Sequence, residues 1–294
     1  MNNTAQLRNI LYHRVSRTLA LCILAAVVLS AGCSSVRLVY GHLDWWMERN
    51  INKYLDLGGA QEDLLEQRID EFHLWHRQTQ LPRYAEFFEQ LADQVSDQPD
   101  PEQLTQRLTR IEQQVDEFWH YSVVMLTDLT LPIVVTLSDE QIDRLQENIE
   151  KEREKSLKKW DKTERKREKE FRKQTERWLG DLTDEQQAII DRHVATTGFD
   201  PALRDAQRQQ WSRAFVQTLR EKPKDYPQQL RQLLIDPQSL WPDDYRKMHA
   251  KLRAQAHQLG IEILMSATPE QRQHLKTTLT EYAEDFRYLA AKPH

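Results

Sequence analysis

Seven glycines in 294 residues are too few for most folds. Nucleotide-binding α/β proteins place glycines at their phosphate turns, and β-rich proteins place them in hairpins. A chain this poor in glycine is expected to be all-α. Composition sets the outer limits. Eight Trp, nine Tyr and eight Phe argue against a disordered chain, and a mean hydropathy of −0.77 argues against a multi-span membrane protein.

Residues 1–18 carry Arg8, Arg14 and Arg17 and no acid; the apolar run Leu19 to Ala31 follows, then Gly32 and Cys33. A charged start, a short apolar core and small residues before a break are the layout of a secretory signal peptide. The run is shorter than the roughly 20 apolar residues of a spanning helix, so residues 1–32 are expected to be a cleaved leader. At Ser30-Ala31-Gly32-Cys33 the sequence resembles the lipobox of bacterial lipoproteins. Ser30 stands where that pattern usually has Leu, and Leu29 lies one place earlier; Cys22 fits worse because Leu21 precedes it. The resemblance implies that Cys33 is the first mature residue and carries palmitate-type acyl chains, of which more than one makes membrane attachment stable. Ser34, rather than Asp, after the cysteine implies delivery to the outer membrane, with the body expected in the periplasm.

Without residues 1–32, 262 residues remain, with a net charge of −8 and no cysteine besides Cys33, so no disulfide can form. Only Ser34 and Ser35 separate the expected lipid from the apolar pattern Val36-Arg37-Leu38-Val39-Tyr40, a reach of roughly 10 Å. The body is expected to sit close to the membrane.

Tyr40, Leu43, Met47, Ile51 and Tyr54 fall on one face of a helix that should stop at Gly58-Gly59. Leu65, Ile69, Phe72 and Trp75 or His76 repeat the spacing, and a further helix should open at Pro82. From Pro101 the series Leu104, Leu108, Ile111, Val115 and Phe118 leads into the apolar stretch Val123 to Leu137, read as a buried helix that kinks or ends near Pro132. A long charged helix is expected over 138–179.

Leu137-Ser138-Asp139-Glu140-Gln141, Leu182-Thr183-Asp184-Glu185-Gln186 and Ala267-Thr268-Pro269-Glu270-Gln271 share one wording. Each puts a hydroxyl at a helix cap and a Gln three residues on, the pattern of a reciprocal capping box. Leu182, Thr183 and Gln186 also resemble the Leu-Thr-x-x-Gln motif of periplasmic stress chaperones, which implies a chaperone or stress-sensor role as an alternative.

Phe88-x-Gln90 recurs as Phe215-x-Gln217, Pro101-x-Gln103-Leu104 as Pro227-x-Gln229-Leu230, and Ser138-x-Glu140-Gln141 as Thr268-x-Glu270-Gln271, at offsets of 127, 126 and 130. Nearly equal offsets suggest a duplication: halves at about 57–137 and 183–290, joined by the long helix and packed into one elongated body over 33–294. Val36-Arg37-Leu38-x-Tyr40, Leu43-Asp44-Trp45, Trp75-His76-Arg77 and Leu81-Pro82-x-Tyr84-Ala85 resemble a group of proteobacterial lipoproteins known as domain of unknown function 6279. That resemblance implies no catalytic residues.

Residues 150–177 hold 13 cations and 8 acids. Lys151, Lys155, Lys158, Lys162, Lys166, Lys169, Lys173 and Arg177 recur at steps of three and four, forming one cationic stripe on a helix. Like charges at that spacing repel, although some acids are placed to pair with them, such as Glu154 with Lys158. A thin apolar seam of Ile142, Leu145, Ile149, Leu157, Trp160, Phe171 and Trp178 leaves much of the helix exposed. The stripe is either a solvated face or a contact for an anionic envelope surface or an acidic protein partner. No nucleic-acid recognition motif accompanies it.

His73 and His76, with Asp70 one step back, could hold zinc, but histidines bordering an apolar stripe more often pack, and no metal is assigned. There is no nucleophile elbow, glycine-rich phosphate loop or thiol outside the lipobox. Neither catalytic residues nor a cofactor is expected; a cell-wall hydrolase or metal enzyme stands as the alternative from another class. Trp45 and Trp46 suit head groups or core equally. The expected function is that of an outer-membrane lipoprotein with an all-α periplasmic body that binds or scaffolds.

Overall fold

The computed structural model describes residues 35–158 and 160–292, without the side chains of residues 35 and 160–168. The expected leader and Cys33 lie outside the described residues. Within them all regular structure is helical: α1 (Ser35–Tyr40), α2 (Leu43–Leu55), α3 (Ala60–Trp75), α4 (Leu81–Asp93), α5 (Pro101–Val134), α6 (Asp139–Lys158), α7 (Trp160–Leu179), α8 (Asp184–Ala195), α9 (Pro201–Glu221), α10 (Tyr226–Ile235), α11 (Asp243–Met265) and α12 (Pro269–Ala291). This is an all-α multi-helix bundle. No described helix is long and apolar enough to cross a membrane.

Helix α2 ends earlier than its glycines suggest. The chain leaves the helix at Asp56, which takes the left-handed conformation (φ 49°), while the Asn52 side chain accepts the Leu57 N–H at 2.8 Å. A side-chain acceptor one turn back ends the helix before Gly58 is reached. Gly59, also at positive φ (52°), then starts α3.

Pro82 stands in the first turn of α4, as expected, but no loop precedes that helix. Residues His76–Gln80 widen into a π turn that joins α3 to α4, with Leu81 N–H donating to the His76 carbonyl. Proline has no N–H for an α-type bond and its ring crowds the preceding turn; one widened turn absorbs both problems. Pro132 does end its helix, since α5 stops two residues later at Val134. The stretch from Val123 is only partly the buried helix expected. Thr127, Ile133, Val134 and Leu137 are buried, Asp128 and Pro132 are exposed, and most of the rest is half-buried. The helix expected over 138–179 is met by α6 and α7, on either side of residue 159, which lies outside the described residues.

All three expected capping boxes are present. Thr183 and Thr268 accept the N–H groups of Gln186 and Gln271, and Ser138 accepts that of Gln141, while each Gln side chain accepts the cap N–H in return. The glutamines then pair. Gln186 Nε2 donates to Gln271 Oε1 at 2.8 Å, and Gln271 Nε2 donates to Gln186 Oε1 at 2.9 Å. Gln141 pairs with Gln61 in the same way, at 2.7 and 3.4 Å. In both clasps each amide also donates to the carbonyl five residues before its partner glutamine: Asp56 and Thr136 in one, Asp181 and Ser266 in the other. Asp56-Leu57-Gly58-Gly59-Ala60-Gln61 is thus a fourth copy of the pattern, with glycine in place of the hydroxyl.

The helices interlace around the clasps. Helix α4 lies along α12 and α9 along α6; α3 packs on α5 and α8 on α11; α2 meets α6 and α7 meets α12. The largest core joins Leu65, Ile69, Ile133 and Ile142 to Phe215, Leu219 and Leu230. A second holds Leu179, Ile189, Ile190, Leu259 and Ile263, and a third holds Tyr40, Leu81 and Leu289.

Candidate functional site

Helices α6 and α9, with Tyr54 of α2, enclose a cleft of about 640 Å³. Ile149, Trp211 and Phe215 form its apolar side, the last two rings stacked at 5.1 Å between centroids and 11° between planes. Trp211 is fixed by its Nε1–H, which donates to the Leu233 carbonyl at 2.8 Å.

The polar side carries Glu150, Glu152 and Asp205 against Arg153, Arg204 and Arg208. Arg153 binds Asp205 through two nitrogens, at 2.9 to 3.1 Å, and Glu150 at 2.6 Å. Gln209 adds a donor to Asp205 at 2.7 Å. The Arg153 guanidinium holds the Asp205 carboxyl below its usual range. Glu152 receives Lys53 and Lys155, both at 2.9 Å, and these hydrogen bonds lower its pKa to about 2. A carboxyl that is to donate a proton near neutral pH needs the opposite shift. All three acids are already engaged with cations, an arrangement suited to binding; Arg204 and Arg208 are exposed beside them.

The stripe lies elsewhere on the same helix. Lys151, Lys155 and Lys158 are exposed and pair with Glu147, Glu152 and Glu154 one turn back, while the residues between them, Arg153, Ser156 and Leu157, face the cleft. Lys169, Lys173 and Arg177 are exposed on α7; the side chains of Lys162 and Lys166 lie outside the described residues. The apolar seam is buried at Ile142 and Leu145, exposed at Leu157 and Phe171, and covered again at Trp178, which stacks on Tyr282 at 5.1 Å.

His73 and His76 are brought together, but among aromatic rings. Tyr40 lies 4.6 Å from the His73 ring and 5.7 Å from that of His76. The Tyr40 and Tyr84 hydroxyls sit 3.0 and 3.2 Å from the two His76 nitrogens. Burial, with His73 beside it, lowers the His76 pKa to about 4. Asp70 is exposed, and among the described residues no group of His, Cys, Asp and Glu is arranged to hold a metal ion.

Helix α1 is clamped to α12. Arg37 Nε donates to Asp285 Oδ1 at 2.5 Å and its guanidinium lies 4.1 Å from the Tyr288 ring centre. Burial raises the Asp285 carboxyl pKa against the pull of Arg37. Leu38, Val39, Trp45 and Trp46 remain exposed on α1 and α2.

Asp205, Arg208 and Trp211 went unnoticed as site residues because each looks like an ordinary helix position, and only the packing of α9 on α6 makes them a wall. Residues 53–246 match the family model described as Family of unknown function (DUF6279). No curated protein and no solved structure matches the chain.

Proposed function

We propose that this chain, which belongs to the family of unknown function DUF6279, is a lipid-anchored, non-catalytic binding protein of the cell envelope. In this reading acylated Cys33 holds it on the outer membrane and its helical body lies in the periplasm. The observation that carries the reading is the clamp on α1. One residue, Ser34, separates Cys33 from a helix that Arg37–Asp285 and Tyr40–His76 fix to the body. An anchor joined to so short a spacer gives the body a set orientation on its membrane, which a binding or scaffolding surface can use.

Support for a non-catalytic role comes from the α6–α9 cleft, whose three acids are all engaged by cations. The exposed lysines of α6 and α7 serve, in this proposal, as a contact for phosphates of an anionic envelope surface. The Leu-Thr-x-x-Gln likeness is accounted for by capping and by the glutamine clasps, so it adds nothing to a chaperone reading. The equivalent bonding of the two clasps supports a body built of two related halves.

The test is metabolic labelling with a tagged palmitate, followed by mass spectrometry of the N-terminus. Label at Cys33, absent from Cys33→Ala, is expected. A mature chain that starts at Met1 with an unmodified thiol at Cys33 overturns the proposal.

A further inference from the structure

A second, smaller cavity of about 200 Å³ lies between the α4–α5 connection, α5, α11 and α12, far along α12 from the α1 clamp. Leu91, Leu104, Leu108, Leu264, Leu275 and Leu279 make it apolar. Two arginines stand in its wall, Arg107 from α5 and Arg272 from α12, and no Asp or Glu does.

Neither arginine has a carboxylate partner among the described residues. Arg107 donates to the Gln94 carbonyl at 2.5 Å and to the Gln103 side chain at 3.5 Å. Arg272 donates to the Ala267 carbonyl, and its Nε is buried without a hydrogen-bond partner among the described residues. Glu270 feels the Arg272 charge, but it bonds the start of its own helix and is not part of the wall. Many other arginines find acids, among them Arg37, Arg83, Arg153, Arg220 and Arg231; Arg77 shares the open Nε but does not line this cavity. A buried guanidinium donor left open beside an apolar hollow costs stability unless an anion completes it.

The geometry points to a binding site for a medium-chain fatty acid, its carboxylate on Arg272 and Arg107 and its chain among the leucines. Size selects a single chain. A dry cavity of about 150 Å³ accommodates benzene, so this one suits an alkyl chain of roughly eight carbons and excludes a pair of acyl chains. The inference goes beyond the envelope role proposed above and does not depend on acylation of Cys33.

The full-length protein in its native membranes is exposed to decanoic acid carrying a photoactivatable diazirine, and the crosslinked residues are mapped by mass spectrometry. Label is expected in the peptides spanning Leu104 to Ile111 and Leu264 to Leu279, displaced by unlabelled decanoate. Arg107→Gln and Arg272→Gln are expected to lower it at least tenfold. Since Arg272 also holds the Ala267 carbonyl, Leu275→Trp, which fills the hollow and leaves both arginines, provides an independent check and should abolish labelling with the melting temperature retained. Labelling of equal strength by the corresponding diazirine alcohol overturns the proposal. So does label placed only outside the cavity wall, which also takes in Leu91, Gln94 and Pro99, label that survives Leu275→Trp, or preferential labelling by a diacyl phospholipid probe.

Discussion

Gln186 and Gln271 stand 85 residues apart in the chain and bond each other reciprocally through their side-chain amides, at 2.8 and 2.9 Å, in a site where one is fully buried and the other nearly so. Each amide has a further task. Its oxygen accepts the N–H of its own cap residue, and its nitrogen also reaches a carbonyl at the start of the other motif. A single side chain thereby closes its own helix and locks that helix to its counterpart.

Truncating either glutamine removes its own cap bond and both bonds of the amide pair, leaving its buried partner one donor and one acceptor short. Losing such buried hydrogen bonds costs about 2 kcal/mol. Gln186→Ala is therefore expected to lower unfolding stability by about that amount in urea titrations. The double variant with Gln271→Ala should lose clearly less than the sum of the two single losses, because the bonds of the amide pair are already gone after the first change. Additive losses would mean that the two amides act independently.

Burial keeps His76 neutral in the folded protein, its pKa lowered to about 4, while an unfolded histidine titrates near 6.5. The sign follows from proton uptake. Between pH 6.5 and 4 the unfolded chain binds a proton that the folded chain refuses, so stability is present in full above pH 6.5 and falls as the pH drops through that window. The loss attributable to this one residue is on the order of 3 kcal/mol. Urea midpoints measured from pH 7.5 to 4.5 should decline for the wild type and decline less for His76→Gln, which keeps a polar partner for Tyr40 and Tyr84 but cannot titrate.

What could be read in advance was local. Thr183 and Gln186 are three residues apart, so their box is visible as a string, and the same holds for Ser138 with Gln141 and Thr268 with Gln271. The pairing of Gln141 with Gln61 was hidden because Gly58 lacks the hydroxyl that marks the pattern. Gly58 and Gly59 drew the end of α2 towards themselves, whereas the Asn52 side chain stops the helix one turn sooner. Pro82 marked the first turn of α4 correctly, but nothing in its neighbours showed that the turn before it, His76–Gln80, would be widened and not broken. The cleft wall of Asp205 and Trp211 depends on contacts with Arg153 and Leu233, 52 and 22 residues away, for which periodicity carries no signal.

The Arg153–Asp205 pair ties α6 to α9 at the cleft, with both side chains partly covered. Arg153→Met keeps much of the aliphatic stem and removes the fork, and a loss of about 1 kcal/mol at pH 7 is expected. Because the folded pKa of Asp205 is depressed, the pair contributes above the unfolded carboxylate range and is lost as the pH falls below it. Wild type and Arg153→Met should accordingly converge in chemical denaturation near pH 3; a gap of constant size from pH 7 to 3 would assign the loss to packing instead.

Release of α1 should be visible to a protease. Tyr40 is buried against His73 and Leu81, and its peptide bond is protected only while α1 stays on α12. Asp285→Ala leaves Arg37 without its carboxylate, and losing a hydrogen bond to a charged group costs about 1.5 to 3 kcal/mol. If opening is local, chymotryptic cleavage after Tyr40 should rise roughly tenfold or more, with the remainder of the body resisting digestion. General digestion at the same rate would instead make α1 part of the global folding unit.

The exposed lysines separate stability from contact. Lys158, Lys169 and Lys173 are exposed, and the ion pair of Lys158 with Glu154 is long, at 3.5 Å, and solvated. Reversing all three to Glu should change unfolding stability by no more than about 0.5 kcal/mol, as for surface changes generally. Sedimentation of the Cys33→Ser protein with phosphatidylglycerol vesicles should fall with those reversals and fall for the parent as salt is raised, because charge attraction to an anionic surface is screened within about 10 Å at 0.1 M salt. Binding that withstands both changes would leave the stripe as a merely solvated face and remove the anionic surface from the proposed role.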